Sequence, residues 1–220
     1  MIKSIIKKEF LLSGKAKNGF FSLLTLVLTF IFIFHFSLEK YNPLPMVSLI
    51  GLKWALIFFL TFVFIGQTIW EERESGALRI NLVYLPSGIF FLIKGFSVFF
   101  ILFIINIFII ILFYIFFSSM KLESFKDFYY QFIFLIPSGL ALSFLGITLS
   151  QLSNATRLKE IILPVLLIPL SIPVLLFGME SERNLILYSA GLFKPMVILF
   201  SFAIFYGSLG VLVQEISDEV

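Results

Sequence analysis

The sequence predicts an all-α fold: a polytopic membrane helical bundle of six transmembrane helices, with an N-terminal cytoplasmic interface helix. Two observations carry the prediction. Hydrophobic residues make up 60% of the 220 and charged residues only 13%, with a mean hydropathy of +1.09, whereas roughly a quarter of a water-soluble domain is charged. The charges are also bunched, leaving uncharged runs over 18–38, 54–70, 95–120, 128–156, 161–179 and 195–214. Each run reaches the roughly 17 to 25 residues that a helix needs to cross a hydrocarbon core of about 30 Å. Lipid offers backbone groups no partner, so the spans must be helices; a barrel would show alternating strands of about ten residues.

The first element, 1–17, is expected to lie along the inner membrane face. Ile2, Ile5, Ile6, Phe10 and Leu12 share one side of a helical wheel and Lys3, Lys7 and Lys8 the other, with Glu9 interrupting the apolar arc. Such a face binds anionic head groups; the plainer alternative is a basic stretch that only fixes topology. The first span is too long for a cleavable signal, and Ser37, Leu38, Glu39 and Lys40 follow it instead of a small-residue cleavage site. The chain is expected to be one transmembrane domain over 1–220. Its outer connections, around Pro43 and Pro45 and between Met120 and Asp127, are too short to house a folded outer domain.

Between the second and third spans runs W-E-E-R-E-S-G-A-L-R-I-N-L-V-Y-L-P-S, Trp70 to Ser87. Glu71, Glu72, Arg73 and Glu74 open it, Gly76 follows, Leu78, Leu82 and Leu85 recur at helical spacing, and Pro86 closes it. This reads as a short helix at the membrane face whose acidic start docks into a cleft on a soluble partner. A solvated connecting loop is the alternative. The fourth span carries Gly139, Ser143, Gly146 and Ser150, two small-x-x-x-small spacings that let helices approach closely, within the chain or between copies. The fifth contains Pro164, Pro169 and Pro173. Each proline removes a backbone donor and clashes with the preceding turn, so a kinked or broken helix is expected, either static or moving. Basic residues set the orientation: ten fall on the side of the N-terminus and six on the other, which predicts both termini in the cytoplasm.

No catalytic residues are expected. H-E-x-x-H, G-x-S-x-G and the phosphate-binding G-x-x-x-x-G-K-[ST] are all missing, so any ATP use must come through a partner chain. With no cysteine there is no disulfide, no thiolate metal site and no C-x-x-C-H haem attachment, and no metal site is expected. The lone histidine, His35, near the outer end of the first span, is a candidate haem contact, weighed against an ordinary interfacial hydrogen bond. Lys53 and Lys94 are expected to snorkel from span ends, and Gln67, Asn106 and Gln131 are neutral. Lacking a centred intramembrane charge, the bundle reads as driven from outside itself rather than by an ion gradient.

Three stretches resemble a known family: E-E-R-E-S-G-A-L-R from Glu71 to Arg79, continuing to L-P-S-G and Lys94; P-S-G-L-A-L-S-F-L-G-I-T-L-S from Pro137 to Ser150; and L-P-V-L-L-I-P-L-S-I-P-V-L-L-F from Leu163 to Phe177. The overall plan is similar to type-2 ABC exporter membrane subunits, and more narrowly to CcmB, the membrane component of the cytochrome c maturation (haem exporter) system. The I-P-L-S-I-P run is the most specific signal. The resemblance implies a bacterial cytoplasmic (inner) membrane location and a separate cytoplasmic ATPase (CcmA-like), two copies of each. It also implies CcmC-like, CcmD-like and CcmE-like membrane partners, with ATP hydrolysis releasing the haem-loaded chaperone CcmE. The lipid bilayer is the other partner, and no nucleic acid is expected. The acidic tail, with Glu215, Asp218 and Glu219, has no role in the resemblance. Two rival readings stand beside it: a type-2 exporter permease for lipid, glycan or drug, and a non-transporting membrane scaffold.

Overall fold

The computed structural model describes residues 17–38, 44–75, 86–117, 129, 132–154, 159–188 and 191–218. Among them are six long helices and no strand: α1 (Lys17–Leu38), α2 (Met46–Ser75), α3 (Ser87–Phe116), α4 (Leu135–Asn154), α5 (Lys159–Tyr188) and α6 (Phe193–Asp218). All six are long and apolar enough to cross a membrane, as the charge-free runs require. The expected interface helix at 1–17 lies outside the described residues but for Lys17, the first residue of α1.

Helix ends follow backbone chemistry more than side-chain hydropathy. The Pro45 carbonyl accepts from the amides of Ser48 and Leu49, starting α2. Pro86 supplies the N-cap position of α3, with a carbonyl that accepts from Phe90, and extended Phe117 ends that helix. α2 and α5 overrun their apolar stretches, because the backbone pairs within the helix whatever side chain follows. α2 continues from its apolar window, Met46–Thr68, through the acidic stretch to Ser75. α5 runs past its charge-free run, 161–179, to Tyr188 and so carries Glu180, Glu182 and Arg183. It is helical throughout, across Pro164, Pro169 and Pro173.

α4 is the axis of the bundle. Its apolar window is 83% buried against 17% for α1, and it packs against α2, α3, α5 and most extensively α6. Lipid tails are as apolar as leucine, so close packing rather than water exclusion must hold such helices together. Small residues supply the sockets. A Cβ on Gly146 of α4 would stand 2.1 Å from Ile65 Cδ1 of α2, and one on Gly210 of α6 would stand 2.0 Å from the Phe91 ring of α3. Phe144 of α4 in turn presses on Gly95 of α3.

Contacts near helix ends sort them into two sides. At one end His35 of α1 meets Phe116 of α3, and Lys53 of α2 meets Glu182 of α5. At the other, Gln151 of α4 donates to Gln214 of α6, and Glu215 of α6 lies beside Gly88 of α3. These pairings are those of six helices that alternate in direction.

Candidate functional site

Among the described residues, the charged side chains fall into two groups, one towards each end of the bundle. At the end that holds the Gln151–Gln214 bond, α2 emerges with Glu71, Glu72, Arg73 and Glu74 as its last helical turns. The acidic stretch is thus an extension of a membrane helix and opens no separate element. Nothing is described of these four side chains, and Gly76, Leu78 and Leu82 lie outside the described residues. One helical stretch inward, Lys94 of α3 is buried, lining a small cavity with Ile65, Thr68, Gly146 and Ser150.

At the opposite end a carboxylate is held from two sides. Glu182 of α5 accepts from the Lys53 ammonium through Oε1 and from the Trp54 indole N–H through Oε2, the latter at 2.7 Å. The side chains of both charged residues are 0% exposed. The indole ring fills the socket left by Gly178, one turn before Glu182; a Cβ there would stand 2.3 Å from the ring. Met179 packs at Gly51 in the same contact between helices. Nearby on α5, Arg183 and Asn184 both donate to Glu180 in a half-exposed cluster.

This corrects two expectations. Lys53 does not snorkel: it points inward to a carboxylate, because α5 continues beyond its charge-free run, 161–179, to Tyr188 and brings Glu182 level with it. Lys94 does not snorkel either, since α2 and α4 cover it. The helices therefore do carry an intramembrane charge pair, which sequence reasoning missed. The available signal was a lysine and a glutamate flanking charge-free runs on the same predicted side.

The remaining expected residues are dispersed. Gly139 packs against the Phe99 ring and Gly146 against Ile65, so both glycines seat neighbouring helices of the same chain. Ser143 turns its hydroxyl to the Leu140 carbonyl of its own helix, and Ser150 is buried. Pro169 is exposed and Pro173 half-buried; nothing is described of the side chain of Pro164. The Leu170 carbonyl, three residues before Pro173, accepts from the Tyr206 hydroxyl of α6 at 2.7 Å. His35 sits edge-on among Phe36, Phe116 and Phe117, with ring centres 5.5 to 5.9 Å away. Among the described residues, no group of His, Asp or Glu side chains is arranged to hold a metal ion.

Six spanning helices, a core sealed by aromatic rings on glycines and charged side chains gathered towards the two ends define a multi-pass membrane protein. The family model described as CcmB protein matches residues 1–213, and the chain belongs to the CcmB family. Membership makes it an inner-membrane subunit of an ABC transporter serving haem handling in cytochrome c maturation. No curated protein and no solved structure matches the chain.

Proposed function

We propose that this chain is the membrane half of an ATP-driven machine, without catalytic residues of its own, worked by a CcmA-like cytoplasmic ATPase through the segment from Glu71 to Leu85. Two copies of each subunit assemble with CcmC-like, CcmD-like and CcmE-like membrane proteins, and ATP hydrolysis releases the haem-loaded chaperone. Both termini face the cytoplasm, as the excess of basic residues there favours.

The observation that supports this reading best is the continuity of α2. The helix runs unbroken from Met46 to Ser75, so its acidic end is rigidly joined to a stem whose Trp54, Ile57, Leu60 and Ile65 are buried in the bundle. A push on Glu71 to Glu74 is delivered to the core with no intervening loop. Gly146 of α4, which seats Ile65 of α2, lies on the surface against which α2 tilts, and the prolines of α5 allow that helix to follow.

The test is charge reversal. A chain with Glu71, Glu72 and Glu74 all changed to Lys should lose co-purification of the ATPase by at least tenfold while still accumulating in the membrane. Undiminished binding would refute docking at this segment. Deleting the gene should abolish covalent haem in periplasmic c-type cytochromes, and unchanged haem attachment would refute the assignment to this pathway.

A further inference from the structure

Lys53, Trp54 and Glu182 are costly to build and are not needed to join two apolar helices. Taking an ammonium and a carboxylate out of water requires their mutual attraction merely to break even, and well-packed apolar residues of similar volume usually hold a core as well or better. What such a group supplies is geometry. Neighbouring residues of α2 grip both oxygens of one carboxylate on α5, Lys53 at Oε1 and Trp54 at Oε2. Rotating α2 about its axis or sliding it along α5 would break one contact or the other. The Trp54 ring in the Gly178 socket and Met179 at Gly51 block the same motions sterically.

The position of this clamp gives it a consequence. It joins α2 and α5 at the end of the bundle opposite the acidic turns of α2. Glu74 stands 21 positions beyond Lys53 along unbroken helix, a lever of about 30 Å at 1.5 Å per residue. With one end fixed, displacement of the other cannot become a translation of the whole helix; it becomes a tilt. A tilt of about 10° over that length moves the acidic end by about 5 Å. The proline-bearing part of α5 lies on the near side of Glu182, within the region that must bend if α5 is held at the clamp.

We propose that Lys53, Trp54 and Glu182 form a fixed pivot, which stays closed throughout the working cycle and converts a push on the acidic end of α2 into tilting of α2 against α5. The inference rests on the reading that the ATPase acts at that acidic end.

The test uses the assembled complex, and the chain has no native cysteine to interfere. The first variant is K53M/E182M, which removes both charges and keeps side chains of similar volume. It should accumulate and co-purify with the ATPase within twofold of the unaltered chain. Its ATP-dependent output, read as covalent haem in c-type cytochromes, should fall at least tenfold. Output within twofold of normal overturns the pivot. The second variant is G51C/M179C, in which oxidation ties α2 to α5 beside the intact clamp. If the clamp never opens, the tied complex works within twofold of its reduced form; a tenfold loss restored by reductant overturns the proposal, even where K53M/E182M fails to accumulate. Failure of the docking reading shows separately, as ATPase that still co-purifies with the chain reversed at Glu71, Glu72 and Glu74.

Discussion

Glu182 shows how much one side chain's cost depends on its company. Its two oxygens are satisfied by Lys53 and Trp54, and no water-facing route remains at 0% exposure. Removing only the lysine leaves a carboxylate with half its partners in a low-dielectric interior. K53M alone should therefore destabilise the protein by about 3–5 kcal/mol, whereas K53M/E182M should recover most of that loss. Thermal unfolding of the purified complex in detergent reads both, and a double variant no better than the single would show that packing and not charge governs the site. Trp54→Phe keeps a ring for the Gly178 socket but loses a donor to a charged acceptor, for an expected cost of about 1.5–3 kcal/mol in the same assay. The sequence offered only a lysine and a glutamate beside charge-free runs on the same side, which does not pair them. The two charged partners are 129 positions apart, each lies just outside a charge-free run, and a lysine at a span end is equally suited to snorkelling. Only the overrun of α5 past its apolar stretch decides between the two.

At the scale of helices, the number of elements was legible and their ends were not. Long uncharged runs between charge clusters oblige a lipid-embedded backbone to be helical, which is why six runs became six helices. No comparable rule stops a helix at the first charged residue, so α2 continued through Glu74 and α5 through Glu182. The prolines of α5 pose a related question, since each deprives a carbonyl of its usual donor. The Tyr206 hydroxyl of α6 donates to the Leu170 carbonyl, in the turn that Pro173 disturbs, so a neighbouring helix supplies a donor there. Tyr206→Phe should then cost about 0.6 kcal/mol and at most about 1.7, the range found for hydrogen bonds between membrane helices. Pro173 removes the N–H that would reach the Pro169 carbonyl and distorts the same turn, so straightening that turn with Pro173→Ala should weaken the contact of Tyr206 with Leu170 and reduce that cost. A thermal-unfolding cycle over the two single variants and the double variant measures the coupling; equal costs of Tyr206→Phe in both backgrounds would mean that the tyrosine does not serve the proline-disturbed turn. Thr148, whose hydroxyl lies 2.8 Å from the Phe144 carbonyl and 3.2 Å from that of Tyr206, ties α4 to the same stretch of α6.

For the whole molecule, the end contacts fix the relative order of the helices, and the cytoplasmic orientation proposed above rests on the basic residues. His35 with Phe116 and Lys53 with Glu182 share one end, while Gln151 with Gln214 and Gly88 with Glu215 share the other. Six alternating crossings leave Lys17 of α1 and Asp218 of α6 on the second side, the side to which the sequence reading assigns ten basic residues against six. The charge bias is modest because the clamp lysine counts among the six although its charge is neutralised by Glu182 within the bundle. Counting only lysines and arginines outside that pair sharpens the asymmetry to ten against five. The orientation can be tested directly, since the chain contains no cysteine. A single cysteine at Asn42, between α1 and α2, should react with a membrane-impermeant maleimide added to spheroplasts, and one at Thr156, between α4 and α5, only after the membrane is opened. The reverse pattern would place the acidic end of α2 outside the cell, beyond reach of any cytoplasmic ATPase, and labelling of both sites in sealed spheroplasts would contradict the alternation of the six helices.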